Sequence, residues 1–155
     1  MKPSFAFDTS AIISLGHTKL IDLIIDNYNI IMSKRILQEL KQINKGSDRD
    51  AIAAKKWLEF SKIIKLKEAK DNKIGENELF EICSKENILM VTDDIKATKK
   101  FKNKIEWLYS IHMVFLLYYK NIILKERALF SVEKMRTERT WKENIIYVTA
   151  RTLFE

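Results

Sequence analysis

Five acidic residues stand where they could jointly hold a divalent cation: Asp8, Glu39, Glu76, Asp93 and Asp94. Asp8 ends the short apolar run Ser4-Phe5-Ala6-Phe7, and Asp93 and Asp94 follow Ile88-Leu89-Met90-Val91-Thr92. In an open α/β sheet, ligands bind outside the carboxyl ends of the strands, so these carboxylates converge if the two strands are neighbours. Glu39 borders the apolar stripe of Ile36 and Ile43. Glu76 precedes Leu79 and Phe80 by a helical turn, which turns it toward the core side at a helix N-terminus. Like charges ~4 Å apart repel by about 4 kcal/mol at an effective dielectric of 20, so a bound cation is the natural compensation. Oxygen-only ligands select Mg²⁺ or Mn²⁺ over zinc. Such a metal suits phosphodiester hydrolysis, where it activates water and stabilises the leaving oxygen.

Each acid also has a structural explanation. Asp8 and Asp94 each precede a helical pattern and could cap it. Glu76 could complement a helix dipole, and Glu39 could pair with a basic residue on its own helix.

The elements that must position these acids alternate along the chain. Strands are expected at 4–7, 29–32, 63–66, 88–91 and 104–109. Between them lie helical patterns at 12–24, 36–43, 50–60, 76–85 and 95–101, with Ser33 as an N-cap and a loop at 71–75. The last third is helical, at 111–119, 125–135 and 141–153. The strand segments are continuous apolar runs rather than alternating ones, which fits a parallel sheet buried on both faces. Residues 1–155 are read as a single domain, with an α/β core at 1–110 and C-terminal helices at 111–155.

Several chemistries are excluded. The single Cys cannot form an intrachain disulfide or a multi-thiolate site, and two His cannot make a three-His zinc centre. The three isolated glycines supply neither a Walker loop nor a GxGxxG turn. Ser10 stands where a haloacid-dehalogenase-like phosphatase needs its second Asp, and Leu66-Lys67-Glu68 and Tyr109-Ser110 lack the residues of a receiver domain. Asp8 interrupts the first apolar run, so no secretory signal is expected, and no apolar run approaches the ~20 residues of a membrane span. These features point to a reduced, cytoplasmic protein. The 28 Lys+Arg against 21 Asp+Glu give a net charge of +7, which favours an anionic partner.

Taken together, FAFDTSAII, the LQEL helix with Glu39, IGENELFEIC and LMVTDDIKATKK resemble the PIN-domain ribonucleases. The pattern is most similar to the VapC-like toxin subset, with GE opening the third motif and DD at the fourth. The resemblance implies a three-layer fold with a central parallel sheet in order 3-2-1-4-5 and a C-terminal helical extension. It implies a Mg²⁺- or Mn²⁺-dependent endoribonuclease acting on RNA, the toxin of a type II pair, with a cognate antitoxin and a possible homodimer. Asp8, Glu39 and Glu76 match the first three family acids, with Asp93 and Asp94 competing for the fourth. Asp8, Glu76, Asp93 and Asp94 would be the metal ligands. Thr9, Ser10 and Thr92 match the supporting polar residues, with Ser10 orienting ligands or water. The alternative function is a PIN-like module that binds RNA or protein without cleaving it.

Other features are weighed against packing. Lys96, Lys99 and Lys100, with Lys102 and Lys104, could form a phosphate path or a solvated helix face. Trp141 lies among Arg136, Arg139 and Lys142, where it could stack on a base, but with Ile145 and Val148 it reads as a packed helical stripe. Ala128, Leu129, Val132 and Met135 form a second stripe, for the core or for a partner's helix. His112 and Cys83 read as structural.

Overall fold

The computed structural model describes residues 1–69, 76–101, 103–142 and 144–155, apart from the side chains of Glu76 and Asn77. The expected loop at 71–75 lies outside these residues. Five parallel strands form one sheet in the order β3-β2-β1-β4-β5. This is the order that the family resemblance implies.

β1 (Ser4–Phe7) is the central strand, and its Phe5, Ala6 and Phe7 are all buried. Burial on both faces explains why the run is apolar without alternation. β2 (Asn29–Ser33) lies on one side of β1 and β4 (Leu89–Val91) on the other. Phe7 pairs with Val91, and the Asp8 N–H continues the ladder to the Val91 carbonyl at 3.1 Å. The first and fourth strands therefore end together, as the placement of the acids requires.

The outer strands differ from expectation. β3 is Lys65–Lys67, with Leu66 exposed, whereas Ile64 is buried in the turn before it. β5 is only Trp107–Leu108. Edge strands have one partner each and need less apolar sequence than a central strand.

The first helical pattern is broken into α1 (Thr9–Gly16) and α2 (Ile21–Asn27). Thr18 makes the break. Its hydroxyl donates to the Leu15 carbonyl at 2.6 Å and accepts from the Leu20 N–H at 3.3 Å, supplying a local alternative to helix. α3 (Lys34–Asn44) starts at Ser33, whose hydroxyl accepts from the Ile36 N–H at 3.1 Å. α4 (Arg49–Leu58) is capped by Asp48 and packs closely on α1. At the crossing, Gly16 lies against Ala53, where a side chain on Gly16 would come within 2.8 Å.

α5 (Glu76–Glu86), α6 (Ile95–Phe101), α7 (Ser110–Tyr119), α8 (Lys125–Glu138) and α9 (Ile145–Phe154) complete the described helices. α7 packs on α1 and α2, and α8 on α1, so the C-terminal helices cover the core. α9 starts later than expected, capped by Asn144, and leaves Trp141 in the preceding segment. Its buried residues are Ile146, Ala150 and Phe154, while Ile145 and Val148 are exposed. On α8, Leu129 is likewise exposed, and Ser131 takes a buried place beside Ala128, Val132 and Met135. His112 and Cys83 are structural as read. The Nδ1 of His112 accepts the Tyr109 N–H at 3.0 Å, and burial pushes the Cys83 thiol up to about 12. Among the described residues, no helix is long and apolar enough to cross a membrane.

Candidate active site

At the carboxyl ends of β1 and β4, the backbone amides and hydroxyls organise a single carboxylate. Asp8 Oδ1 caps α1 by accepting from the Ala11 N–H at 3.1 Å, and it accepts from the Ser10 hydroxyl at 2.7 Å. The other oxygen, Oδ2, accepts from the Thr92 hydroxyl. Both hydroxyls also accept from the turn after β4. Ser10 Oγ takes the Asp93 N–H at 2.9 Å, and Thr92 Oγ1 takes the Asp94 N–H at 3.1 Å. Ser10 and Thr92 thus tie the two strand ends together and aim both donors at Asp8. Burial pushes the Asp8 carboxyl up to about 6, although the bonds from Thr92, Ser10 and Ala11 favour its charged form.

The two acids of the fourth motif diverge. Asp94 lines the cleft above Asp8, and its Oδ1 caps α6 by accepting from the Ala97 N–H at 3.1 Å. Asp93 turns toward the start of α7. Its Oδ1 accepts from the Ser110 N–H at 2.8 Å and its Oδ2 from the Ser110 hydroxyl at 2.5 Å. Burial raises the Asp93 carboxyl above its ordinary range, opposed by the bonds from Ser110 and by the charge of Arg139. Held by one donor on each oxygen, this carboxylate ties the end of β4 to the start of α7. The capping roles of Asp8 and Asp94 are also real, so each serves the backbone as well as the cleft.

Glu39 reaches the same cleft from α3. Its Oε2 accepts from the Thr9 hydroxyl, and Arg35 Nε lies 3.5 Å from its Oε1, one helical turn earlier. Thr9 therefore positions Glu39, and Ser10 positions Asp8. The Glu76 side chain lies outside the described residues. The cleft encloses about 430 Å³, and its apolar lining includes Ile13, Met90 and Phe101. Among the described residues, no three His, Cys, Asp or Glu side chains converge closely enough to hold a metal ion. The donor chemistry nevertheless fits Mg²⁺ or Mn²⁺, since carboxylates and hydroxyls face the cleft and neither His nor Cys lines it.

Three charged cleft residues were not expected from the sequence as site residues: Arg35, Asp50 and Arg139. Arg35 stands one turn before Glu39, which is the signal that could have found it. Asp50 looks like an ordinary acid in the first turn of α4, and Arg139 arrives from the end of α8, far away in sequence. Lys96, Lys99 and Lys100 are exposed on α6 and do not line the cleft, whereas Ala97 and Phe101 of that helix do. Trp141 is partly buried against the core.

No protein-family model and no curated protein matches this sequence. Among solved structures, VapBC-1 from nontypeable Haemophilus influenzae is similar, with a TM-score of 0.48 and 16% identity. The match covers 69% of this chain and 98% of that one.

Proposed function

We propose that this chain is a metal-dependent endoribonuclease hydrolysing RNA phosphodiester bonds. The observation that carries this reading is that Asp8, Glu39 and Asp94, from three separate segments, line one cleft at the carboxyl edge of the sheet. Asp8 and Asp94 would hold Mg²⁺ or Mn²⁺, with Glu39 and Glu76 completing the acidic set. A bound ion would activate water and neutralise charge on the leaving oxygen. The chain's own part is to orient these groups. Ser10 and Thr92 fix Asp8, and Thr9 holds Glu39. Asp94 keeps one carboxylate oxygen without a hydrogen bond among the described residues. Asp93 takes no part in the cleft in this reading. A role as the toxin of a type II pair, with an antitoxin as partner, rests on the motif resemblance to the VapC-like subset.

A second reading is a non-catalytic module that grips RNA or protein. It is favoured by the absence of a closed three-ligand cluster among the described residues. Incubation of single-stranded and structured RNA with the protein in Mn²⁺, with and without EDTA, separates the two. The nuclease reading expects cleavage that EDTA and Asp8→Asn both abolish. Binding without cleavage in Mn²⁺ overturns it in favour of the module.

A further inference from the structure

We propose that Arg139 binds a phosphate of the RNA backbone beside the bond to be cut, an inference that rests on the ribonuclease reading. A cleft walled by Asp8, Glu39, Asp50 and Asp94 repels a polyanion unless cations in the same wall offset that charge. Two guanidinium groups line it, Arg35 and Arg139. Arg35 is exposed and sits beside Glu39 on its own helix. Arg139 is held differently. It follows the last turn of α8, and its side chain lines the cleft while only 24% exposed.

Asp50 Oδ2 is the one acceptor that holds this guanidinium among the described residues, through Nη1 at 3.4 Å. That contact is long and single-pronged. A guanidinium committed to a carboxylate pairs at ~2.7–2.9 Å, often through two parallel bonds. Asp50 divides its attention, since its Oδ1 meets His17 Nε2 at 3.2 Å. Burial lowers the pKa of His17, opposed by its hydrogen bond to Asp50. The arrangement parks Arg139 at the cleft wall on one long contact, with most of its five donors still available. A phosphodiester offers two non-bridging oxygens that this planar fork can grip together, and it would displace Asp50.

This makes Asp50 a competitor of the phosphate, which a purely structural latch between α8 and α4 would not be. The test measures the Kd of a labelled single-stranded RNA oligonucleotide by anisotropy, in Ca²⁺ and over a range of salt. Arg139→Gln is expected to raise Kd about tenfold and to flatten the slope of log K against log[salt] by about 0.7, the value for one lost phosphate contact. Arg139→Lys should recover part of that affinity, since it keeps the charge without the fork. Asp50→Asn should leave Kd unchanged or lower it. Melting temperatures of all three variants are recorded alongside.

Unchanged binding by Arg139→Gln, in a wild type that binds and cuts RNA, overturns this inference alone. So does equal weakening by Asp50→Asn and Arg139→Gln, which marks a latch. Failure of the wild type to bind or cut any RNA overturns the ribonuclease reading, and this inference with it.

Discussion

Replacing Asp8 by Asn should make the metal-free protein more stable at neutral pH. The carboxyl titrates near 3.8 when unfolded and is pushed up to about 6 in the fold, mainly by burial. Because the folded value is the higher one, the folded state holds the proton more tightly across this window. Stability from this group is complete below the unfolded value and is lost as pH rises through the folded one. A difference of about 2 pH units corresponds to about 3 kcal/mol. Asp8 keeps some solvent contact, which reduces the effect to about 1–2 kcal/mol. Asn can reuse the surroundings. Its carbonyl would accept from Ser10 and Ala11, and its amide would donate to a Thr92 hydroxyl that has rotated. Denaturant unfolding in EDTA at pH 4 and pH 7.5 is the assay. Asp8→Asn should match the wild type at pH 4 and exceed it at pH 7.5, by about 3–6 °C if read as a melting temperature. Saturating Mn²⁺ should then stabilise the wild type alone, by about 2.7 kcal/mol at a hundredfold excess over Kd. An advantage of equal size at both pH values, or a less stable variant at pH 7.5, would refute the burial argument.

Other expectations follow from the same contacts. Asp93→Ala strips the Ser110 amide and hydroxyl of their acceptor and should cost about 2–4 kcal/mol in denaturant unfolding, with Asp93→Asn costing less. Gly16→Ala drives a methyl to within 2.8 Å of Ala53, so about 1–3 kcal/mol should be lost. Adding Ala53→Gly should return part of that loss, and a double-mutant cycle with no coupling would contradict the close crossing of α1 on α4.

The central architecture was legible because β1, β2 and β4 are buried on both faces and need unbroken apolar runs, which stand out in a Lys-rich chain. Outer elements were less legible for the converse reason. β3 tolerates an exposed Leu66 on an edge, so the apolar Ile63-Ile64 drew the expected strand, 63–66, two residues ahead of the observed Lys65–Lys67. The split between α1 and α2 depends on the Thr18 hydroxyl, and nothing in residue type distinguishes that from a helical Thr. Trp141, Ile145 and Val148 follow helical spacing, yet α9 starts at Ile145 after the Asn144 cap and buries the face of Ile146, Ala150 and Phe154 instead.

In the candidate site, the strand ends, with the 3-2-1-4-5 order that the resemblance implies, were enough to bring Asp8 and Asp94 to one cleft. Choosing between Asp93 and Asp94 was not possible from spacing, because the divergence is made by Ser110, a residue of another element. Arg139 was visible only as a neighbour of Trp141, since its place in the cleft depends on how α8 ends against α4.

The most direct measurement is Mn²⁺-dependent RNA cleavage by Asp94→Asn and Asp93→Asn beside the wild type, each at a temperature where it is folded. Cleavage should be lost in Asp94→Asn, which removes a carboxylate from the cleft, and kept in Asp93→Asn, which does not. Full cleavage by Asp94→Asn, or cleavage by the wild type in EDTA, would contradict the account.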